Sequence, residues 1–492
     1  MTYKNRTVFK SAIYLHLLIF SLLFLNGCKT DEPTDPVIPP DVTGVGKAKV
    51  WLTTGDKSRL LHPESDLPVR AIRSGSFPFI TIDSTITYQT IEGFGAALTG
   101  SSAYNLNRRM SAANKQTAIN MLFDKEDGIG ISYIRLTIGA SDFSIENFTY
   151  DDMPAGETDE DLSEFTLQKD RVDVIPVLKE ILAIAPDISI LGSPWSPPAW
   201  MKTNGRLNGG KLKPEAYNAY ASYFIKYIQT MKEEGITISS VTIQNEPLYF
   251  TAASPCMEMQ ADEQLSFIKN SLGPAFESNA ITSKILIYDH NWDNTEYAIS
   301  ILNDPDARKY VAGSAFHAYA GNVSAMNIVH NAHPDKDLYF TEISGGGWAT
   351  DFGDNLIWNM RNIFIGTTKN WSKVALLWNL VLDQNSKPSN NGCSDCRGVI
   401  TNNTITEALE YNEEYYSIGH MSKFVRPGAV RISTKLDQSL LNTEGVAFQN
   451  TDGSKVLVLC SYHSAYQSFT IRQGTKFVNY SIAPKAVVSI VW

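Results

Sequence analysis

The sequence has little positive charge. It contains 42 Lys and Arg residues against 52 Asp and Glu residues, which gives a formal net charge of -10 at pH 7. Proteins that bind nucleic acids need clustered Lys and Arg to contact the phosphates. We therefore expect no nucleic-acid partner, and a neutral substrate fits this charge better than a polyanion.

Cysteine is also scarce, with five residues in a chain of 492. Cys393 and Cys396 form a Cys-Ser-Asp-Cys motif, but one pair is too small for a four-cysteine zinc site, and no histidine is adjacent. A redox dithiol needs a thioredoxin-like context, which is missing, so in an exported protein we predict a disulfide that stiffens a loop. Cys460 is predicted to be a buried free thiol, and Cys256 has no predicted role.

The N-terminus lacks a hydrophobic run long enough to favour a membrane-spanning helix. Residues 1–27 have a basic start and a largely apolar stretch, interrupted by Tyr14 and His16, as in a secretory signal peptide. The Gly27-Cys28 junction resembles the lipobox of bacterial lipoproteins. This resemblance implies a lipid anchor at Cys28 rather than a spanning segment.

Residues 28–47 have almost no large apolar side chains and are rich in proline and acidic residues. Such a composition predicts a flexible linker between the lipid and the folded protein. Asp31 and Glu32 follow the cysteine closely and resemble an export signal for the outer face. We therefore expect attachment to the outer membrane, either exposed at the cell surface or on the periplasmic face.

Three regions of different pattern follow the linker, and none contains a short-period repeat. Residues 48–88 hold short β-like segments, residues 89–421 alternate strand-like and helix-like segments, and residues 422–492 are rich in β-branched residues with turn signals. The alternation predicts an α/β catalytic domain with a (β/α)8 TIM barrel. The flanking regions are predicted to form one attached β-sandwich from N-terminal and C-terminal strands.

The barrel prediction rests on short apolar strands separated by helical periodicity. Helices are predicted over 172–185 and 214–234, where Pro214 suits a first turn. A doubly wound open sheet is the alternative, but Gly93-Phe94-Gly95 lacks the rest of a phosphate-binding fingerprint. The predicted strands cover 133–136, 189–191, 240–243, 284–288, 313–316, 338–340 and 374–377.

Two glutamates, Glu246 and Glu342, each follow a short apolar, β-leaning run and stand 96 positions apart. Carboxylates at the C-terminal ends of barrel strands occupy the catalytic face of this fold. Two of them facing each other at about 5–5.5 Å could cleave a glycosidic bond with retention. The alternatives are that Glu246 caps the following segment and that Glu342 is a surface residue at a loop entrance.

Aromatic residues make up 11% of the chain, and two tryptophans lie in the proline-stiffened segment 192–202. Indole faces pack on the apolar faces of sugars, and the indole N–H can donate to hydroxyls. We predict that Trp195 binds substrate. For Trp200 a core role and a binding role remain open.

Polar and aromatic residues end several other predicted strands, as a sugar cleft requires. Asn245 could bond a sugar hydroxyl, and Arg135 could hold a neighbouring carboxylate ionised, although Arg135 and Asp142 could also form a structural ion pair. A metal-ligand role for His317 is rejected because no second histidine stands at ligand spacing. No metal or other cofactor is expected. The remaining candidates for sugar binding are Asp289-His290-Asn291-Trp292, His317-Ala318-Tyr319 and Trp378-Asn379.

Together these residues resemble glycoside hydrolase family 30, which includes lysosomal glucosylceramidase and microbial β-1,6-glucanases. The resemblance runs from about Gln89 to the C-terminus and is carried by these ordered motifs: Gly93-Phe94-Gly95, Arg135 with 140–144, Ser193-Pro194-Trp195, Lys202-Thr203-Asn204-Gly205, Asn245-Glu246-Pro247, Glu342 and Trp378-Asn379-Leu380. It implies a (β/α)8 barrel with a β-sandwich. It also implies Glu246 as acid/base, Glu342 as nucleophile, and sugar contacts from Arg135, Asp142, Trp195, Asn245, Tyr319 and Trp378.

The stretch 390–398 departs from the glucosylceramidase pattern, in which an asparagine near the sugar's 6-hydroxyl follows Trp378. It resembles the bacterial β-1,6-glucanase-like members instead, and a site open on that side would admit a β-1,6-linked chain. We therefore expect a monomeric endo-β-1,6-glucanase acting on β-glucan. The alternatives are an exo-acting β-glucosidase, glucosylceramidase-like enzyme or β-xylosidase, and a non-catalytic glycan-binding lipoprotein.

Overall fold

The computed structural model describes residues 44–492. The predicted signal peptide, Cys28 and most of the predicted linker lie outside the described residues. One correction concerns the linker's end, which was predicted at residue 47. The first strand already begins at Gly44, because residues 44–48 pair with a later strand and thereby satisfy their backbone groups. Among the described residues, no helix has the length and apolarity that crossing a bilayer demands.

Eight parallel strands close into a barrel, which confirms the predicted fold. Each is joined to its two neighbours by parallel pairing, and the ring closes because the last of them in the chain pairs with the first. Their bounds are β5 Gly93–Leu98, β6 Tyr133–Ile138, β7 Ser189–Pro194, β8 Ser240–Thr242, β9 Lys284–Asn291, β10 Val311–His317, β11 Asp337–Glu342 and β12 Ser372–Asn379.

The first barrel strand, β5, was not among the seven predicted strands. Its sequence begins Gly93-Phe94-Gly95, and glycine is depleted in strands. The structure explains the glycine at position 95: a Cβ there would lie 2.0 Å from the carbonyl oxygen of Tyr133. The close approach of β5 to β6 therefore requires a residue without a side chain.

Helices cover the outside of the barrel. The predicted helix 172–185 is observed as α3, and the predicted helix 214–234 begins with a 3₁₀ turn at Pro214–Ala216 and continues as α4. The α-helices are α1 Gly100–Tyr104, α2 Ala112–Phe123, α3 Val174–Ile184, α4 Tyr217–Glu233, α5 Ala261–Phe267, α6 Gly273–Ser278, α7 Thr295–Asn303, α8 Pro305–Arg308, α9 Ala325–Ala332, α10 Phe352–Trp358, α11 Ile365–Lys369 and α12 Glu413–Ser422.

Ten strands from both ends of the described chain form the β-sandwich. Residues 44–48 of the first strand pair with the strand Leu67–Arg70, and residues 49–54 pair with the strand Ala486–Val491, so the first strand joins the two margins of the sheet. The strands are β1 Gly44–Thr54, β2 His62–Pro63, β3 Leu67–Arg70, β4 Phe79–Thr90, β16 Val430–Leu436, β17 Thr443–Gln449, β18 Lys455–Ser461, β19 Gln467–Gln473, β20 Lys476–Ile482 and β21 Ala486–Val491.

The sandwich is packed against the barrel through alternate residues of its strands. Leu457 and Val488 belong to the sandwich interior, whereas Val456, Val458 and Val487 belong to the apolar cluster that extends into the barrel. Because successive side chains of a strand point to opposite faces, one sheet buries apolar residues on both sides. The near-continuous hydrophobic runs of these strands follow from this double burial.

A small three-stranded sheet follows the last barrel strand. It consists of β13 Val381–Asp383, β14 Ile400–Asn402 and β15 Leu409–Tyr411. The segment between β13 and β14 contains both cysteines of the Cys-Ser-Asp-Cys motif. The sheet thus anchors the two ends of that segment at the catalytic end of the barrel.

Candidate active site

Glu246 and Glu342 meet at the C-terminal end of the barrel. Glu342 is the last residue of β11, and Glu246 lies four positions beyond β8. A carboxylate oxygen of each residue and a ring nitrogen of His317 lie within 4.8 Å of one another. A pair this close suits a retaining glycosidase, because inverting enzymes keep their carboxyls about 6.5–9.5 Å apart.

The backbone that carries Glu246 is strained. Its φ is +44°, and the facing residues Tyr288 and Asp289 on β9 have φ values of +72° and +61°. Such left-handed conformations cost non-glycine residues on the order of 1–3 kcal/mol each and persist only where the surroundings enforce them. Here the Glu246 N–H donates to the Asp289 carbonyl at 2.9 Å, which fixes one strained segment against the other.

Asp289 is the centre of the buried network below the pair, and the sequence reasoning gave it no role of its own. Burial by itself would raise its pKa, but the charges of Arg135 and His317 hold the pKa well below the ordinary value. Asp289 is therefore an anion that organises the site. Its carboxylate accepts hydrogen bonds from five side chains: Arg135 at 2.6 Å, Ser193 at 2.9 Å, Thr242 at 2.8 Å, Thr341 at 2.6 Å and His317 at 3.1 Å.

Arg135 lies fully buried behind the carboxyls rather than on the wall of the cavity. One Nη donates to Glu342, and the other donates to Asp289 and to Asn245 Oδ1 at 2.8 Å. The guanidinium also lies 5.0 Å from the centre of the Trp195 ring. Arg135 therefore orients residues that line the cavity, although it does not line the cavity itself.

His317 is also buried behind the pair. Its Nδ1 lies 3.0 Å from Glu246 Oε1, and its Nε2 lies 3.1 Å from Asp289 Oδ1. Burial alone would lower its pKa, but the charges of Glu342 and Asp289 and the two hydrogen bonds raise the pKa to about 9. The ring is thus an imidazolium that donates to two carboxylates, and it does not line the cavity.

Glu246, His317 and Glu342 are also the types of side chain that could hold a metal ion. A metal needs a neutral imidazole with a free lone pair. Both ring nitrogens of His317 face carboxylate oxygens instead, and the raised pKa keeps both of them protonated. This donor set does not fit a metal.

Burial is the largest influence on the pKa of both carboxyls and raises it. The charged and hydrogen-bonding neighbours differ between the two residues, and the net pKa shifts are therefore opposite. At Glu246 the hydrogen bond and charge of His317, with the charge of His290, outweigh burial and lower the pKa. At Glu342 burial and the charges of Glu246 and Asp289 outweigh His317 and Arg135 and raise the pKa. The pKa of Glu342 is therefore raised and that of Glu246 lowered by their surroundings.

The cavity above the carboxyls has a volume of about 390 Å³, within the range of small-molecule sites. Trp195 and Trp378 line its inner part and stack on each other, with ring centres 5.1 Å apart. Asn245 also lines it. Trp200 is buried, and its Nε1 donates to Asp151 at 2.9 Å, which places it in the core.

Tyr319 and Asp142 complete the inner cavity. The Tyr319 hydroxyl donates to Glu342 Oε1 at 2.9 Å, on the oxygen that Arg135 leaves free. Burial and the charges of Glu342 and Glu246 raise the pKa of Asp142 to about 8. Asp142 is therefore a neutral acid at pH 7 and can donate as well as accept hydrogen bonds.

Cys393 and Cys396 form a disulfide, and both line the cavity. The segment before them is fitted closely to Asp142, because the Asn390 N–H donates to the Asp142 carbonyl at 2.7 Å. A Cβ on Gly392 would lie 2.6 Å from the same carbonyl. Cys256 also lines the cavity as a buried free thiol, and Cys460 is a buried free thiol in β18.

Comparison with known proteins agrees with this geometry. The glycosyl hydrolase family 30 TIM-barrel model matches residues 91–425, and the family 30 beta-sandwich model matches residues 428–490. The chain belongs to glycosyl hydrolase family 30. The recognition made from the motifs is thereby confirmed, and membership in family 30 makes this protein a retaining glycoside hydrolase.

Relatives within family 30 carry two kinds of name. An endo-1,6-beta-D-glucanase of Neurospora crassa is 37% identical over 77% of this chain and 81% of its own length. A putative glucosylceramidase 4 of Caenorhabditis elegans is 30% identical over 94% of this chain and 91% of its own. The solved structure of the endo-beta1,6-glucanase BT3312 has a TM-score of 0.84 and 35% identity, covering 91% of this chain and 99% of that one.

Proposed function

We propose that this protein is an endo-β-1,6-glucanase that hydrolyses its substrate by double displacement. The observation that carries the proposal is the carboxylate pair within 4.8 Å at the catalytic end of the barrel. The choice of β-1,6-glucan is supported by the relatives of that name, which are 37% and 35% identical to this chain. The formal net charge of -10 agrees with a neutral glucan better than with a polyanion.

The hydrogen bonds support different roles for the two glutamates. Both oxygens of Glu342 accept donors, from Arg135 and from Tyr319, which is the environment of a nucleophile held in place as an anion. Glu246 accepts from His317 through Oε1, and within residues 44–492 no hydrogen bond reaches its Oε2. That free oxygen suits a residue that gives a proton to the leaving oxygen.

In the first step, Glu342 attacks the anomeric carbon, the bond to the leaving oxygen breaks, and Glu246 gives that oxygen its proton. In the second step, Glu246 takes a proton from water, and the water oxygen displaces Glu342 from the sugar. The pKa of Glu342 is raised and that of Glu246 is lowered, whereas the first step requires the proton to be on Glu246 once the sugar is bound. Carboxyls this close titrate as one pair, which allows that exchange.

A second candidate is an exo-acting enzyme of the glucosylceramidase type. It is favoured by the glucosylceramidase relatives, one of which aligns over 94% of this chain. Digestion of purified β-1,6-glucan and of a β-glucan and β-xyloside panel, with sizing of early products, separates the two. Mixed oligosaccharides from β-1,6-glucan support the first candidate, and monosaccharide alone overturns it.

We also propose that the mature protein is a monomer tethered to the outer membrane by a lipid on Cys28. The Gly27-Cys28 junction and the acidic residues Asp31 and Glu32 support this. Cys28→Ser should move the protein from the membrane fraction to the soluble fraction and abolish incorporation of labelled palmitate. Unchanged fractionation would contradict the anchor, and protease access in intact cells distinguishes the cell surface from the periplasmic face.

A further inference from the structure

Two pairs of aromatic residues in the cavity differ in exposure. Trp195 and Trp378, in the inner part, are 5% and 3% exposed. Trp348 and Tyr249 line the same cavity but are 58% and 54% exposed. The first pair lies in the inner part of the cavity that the carboxyls also line, and the second pair lies exposed at the rim, where the rest of a sugar chain would leave.

Each rim aromatic is carried by the loop of one catalytic carboxylate. Tyr249 follows Glu246 by three positions, and its N–H donates to the Glu246 carbonyl at 2.8 Å. Trp348 follows Glu342 by six positions, after the three glycines 345–347. The two rings are therefore tied to the residues between which the glycosidic bond would be placed.

The loop that carries Trp348 is paired with the disulfide segment. The Gly347 N–H donates to the Asp395 carbonyl at 2.8 Å, and the Arg397 N–H donates to the Gly345 carbonyl at 3.0 Å. Gly346 and Cys396 form an isolated antiparallel bridge. The two segments thus form one short ladder along the cavity.

Arg397 links this ladder to the N-terminal turn of α12 through hydrogen bonds and ion pairs. Its Nη1 donates to the Ala349 carbonyl at 3.1 Å, its Nε donates to Glu414 at 3.1 Å, and its Nη2 donates to Glu413. Both glutamates are buried. Asn355 donates to the Ala349 carbonyl at 2.9 Å and to Glu413 at 2.8 Å, which fixes the end of the loop a second time.

The loop that carries Trp348 is packed so closely at Gly345 and Gly346 that it has little room to move. A Cβ on Gly345 would lie 1.9 Å from Glu414 Oε1, and a Cβ on Gly346 would lie 2.1 Å from the Trp348 ring. A buried ionic cluster that holds an exposed indole does not serve the core, because the indole gains little burial from it. A rigid exposed aromatic does serve binding, since less conformational entropy is lost when a sugar stacks on it.

We propose that Trp348 and Tyr249 form the binding site for the leaving glucosyl unit of the glucan, and that Arg397 is the positioning residue for Trp348. The occupant is a neutral pyranose, whose C–H faces pack on aromatic rings. This inference rests on the proposed function, since it requires a substrate that continues beyond the hydrolysed bond.

The test compares two substrates in each variant. β-1,6-Gluco-oligosaccharides have a leaving sugar, whereas β-glucosyl fluoride has a leaving group of one atom. Trp348→Ala and Tyr249→Ala should each lower the ratio of kcat/KM for the oligosaccharide to kcat/KM for the fluoride by roughly tenfold or more. Trp358→Ala, which removes an exposed indole of α10 outside the cavity, should leave the ratio unchanged.

An unchanged ratio in Trp348→Ala and Tyr249→Ala would overturn the binding site. The proposed function is judged separately, by whether the wild-type protein turns over the oligosaccharide at all. If it turns over only the fluoride, the proposed function fails, and this inference, which requires a leaving sugar, fails with it.

The positioning role of Arg397 is tested in two backgrounds. Arg397→Lys keeps the charge but loses the forked donors, and it should lower the ratio in the wild-type background while adding no further loss to Trp348→Ala. Asn355→Ala loosens the same loop without removing a buried charge. It is the substitute variant if Arg397→Lys folds poorly, and the same pattern is expected of it. A full additional loss in the Trp348→Ala background would show that Arg397 does not act through Trp348.

Discussion

Glu246 and Glu342 are the same residue type, yet their surroundings differ in the number of donors. Two donors hold Glu342, and one holds Glu246 through a single oxygen. Neighbours of this kind are what allow one side chain to act as nucleophile and an identical one to act as acid. The division of roles is therefore a property of the contacts and can be tested on substrates that differ in leaving group.

We expect Glu246→Ala to reduce kcat/KM on β-glucan by roughly a hundredfold or more, because a sugar alcohol leaves poorly without a proton. On β-glucosyl fluoride, whose leaving group needs no proton, the loss should be much smaller. Glu342→Ala should abolish turnover of both substrates, since no covalent intermediate can form. Steady-state kinetics on both substrates, with circular dichroism as the folding control, decide this, and equal loss of both in Glu246→Ala would contradict its role as acid.

Asp142 leads to a prediction about alkaline pH. Its pKa is raised to about 8, so the residue is neutral below that pH and ionises as the pH rises through it. The new charge would lie beside Glu342 and Glu246 and remove a hydrogen-bond donor from the cavity. Asp142→Asn cannot ionise, so its kcat/KM should decline less than that of the wild type above pH 8.

The measurement is the pH profile of kcat/KM for both proteins. Asp187→Asn, at an exposed position outside the cavity, is the matched control and should follow the wild-type profile. An alkaline limb of Asp142→Asn that coincides with the wild type would show that another group controls activity there.

At the scale of elements, strand β5 lacks the residues that usually predict a strand, because a close backbone contact requires glycine there. Gly95 replaces a strand-favouring side chain because the carbonyl of Tyr133 occupies the space of a Cβ, 2.0 Å away. Gly95→Ala should therefore prevent ring closure or destabilise the protein by several kcal/mol, since backbone atoms cannot move aside cheaply. Gly46→Ala in β1, where the nearest atom lies at an ordinary 3.8 Å, is the control.

Thermal unfolding and soluble yield measure this effect. A large fall in Tm or yield for Gly95→Ala with little change for Gly46→Ala is the expected result. Equal behaviour of the two variants would mean that the barrel tolerates separation of β5 from β6.

At the scale of the whole molecule, His420 connects the barrel to the sandwich. It lies on α12, and its ring nitrogens lie 2.8 Å from the hydroxyls of Ser489 on β21 and Thr53 on β1. Complete burial lowers its pKa to about 3. Folding therefore keeps this histidine neutral at a pH where the unfolded chain would protonate it.

The sign of the pH dependence follows from that shift. Below the unfolded pKa of about 6.5, the unfolded chain binds a proton that the folded protein does not, so stability falls as the pH falls toward about 3. Each pKa unit corresponds to about 1.4 kcal/mol, which makes the total loss a few kcal/mol. His420→Gln keeps a side chain that can bond both hydroxyls and should reduce the fall in Tm between neutral and acid pH.

Differential scanning calorimetry across this pH range measures the effect. His62→Gln, at an exposed position on β2, is the control and should keep the wild-type dependence. A pH dependence in His420→Gln identical to that of the wild type would contradict the role of His420.

The sequence alone determined the barrel, the sandwich and the positions of both glutamates. Alternating strand and helix patterns reflect burial within a few residues, and a carboxylate at a strand end is visible in the chain. Glu246, Glu342, Asp142, Trp195, Asn245, Tyr319 and Trp378 could thus be named before any distance was known, and the structure brings them to one cavity.

Only the tertiary structure decided which residues act together. Asp289 takes donors from five other strands, His317 and Arg135 lie behind the carboxyls, and Trp348 depends on Arg397. The physical reason is that closing the barrel brings together side chains separated by tens to hundreds of residues. The free energy of a buried charge depends on those neighbours, which no local pattern records.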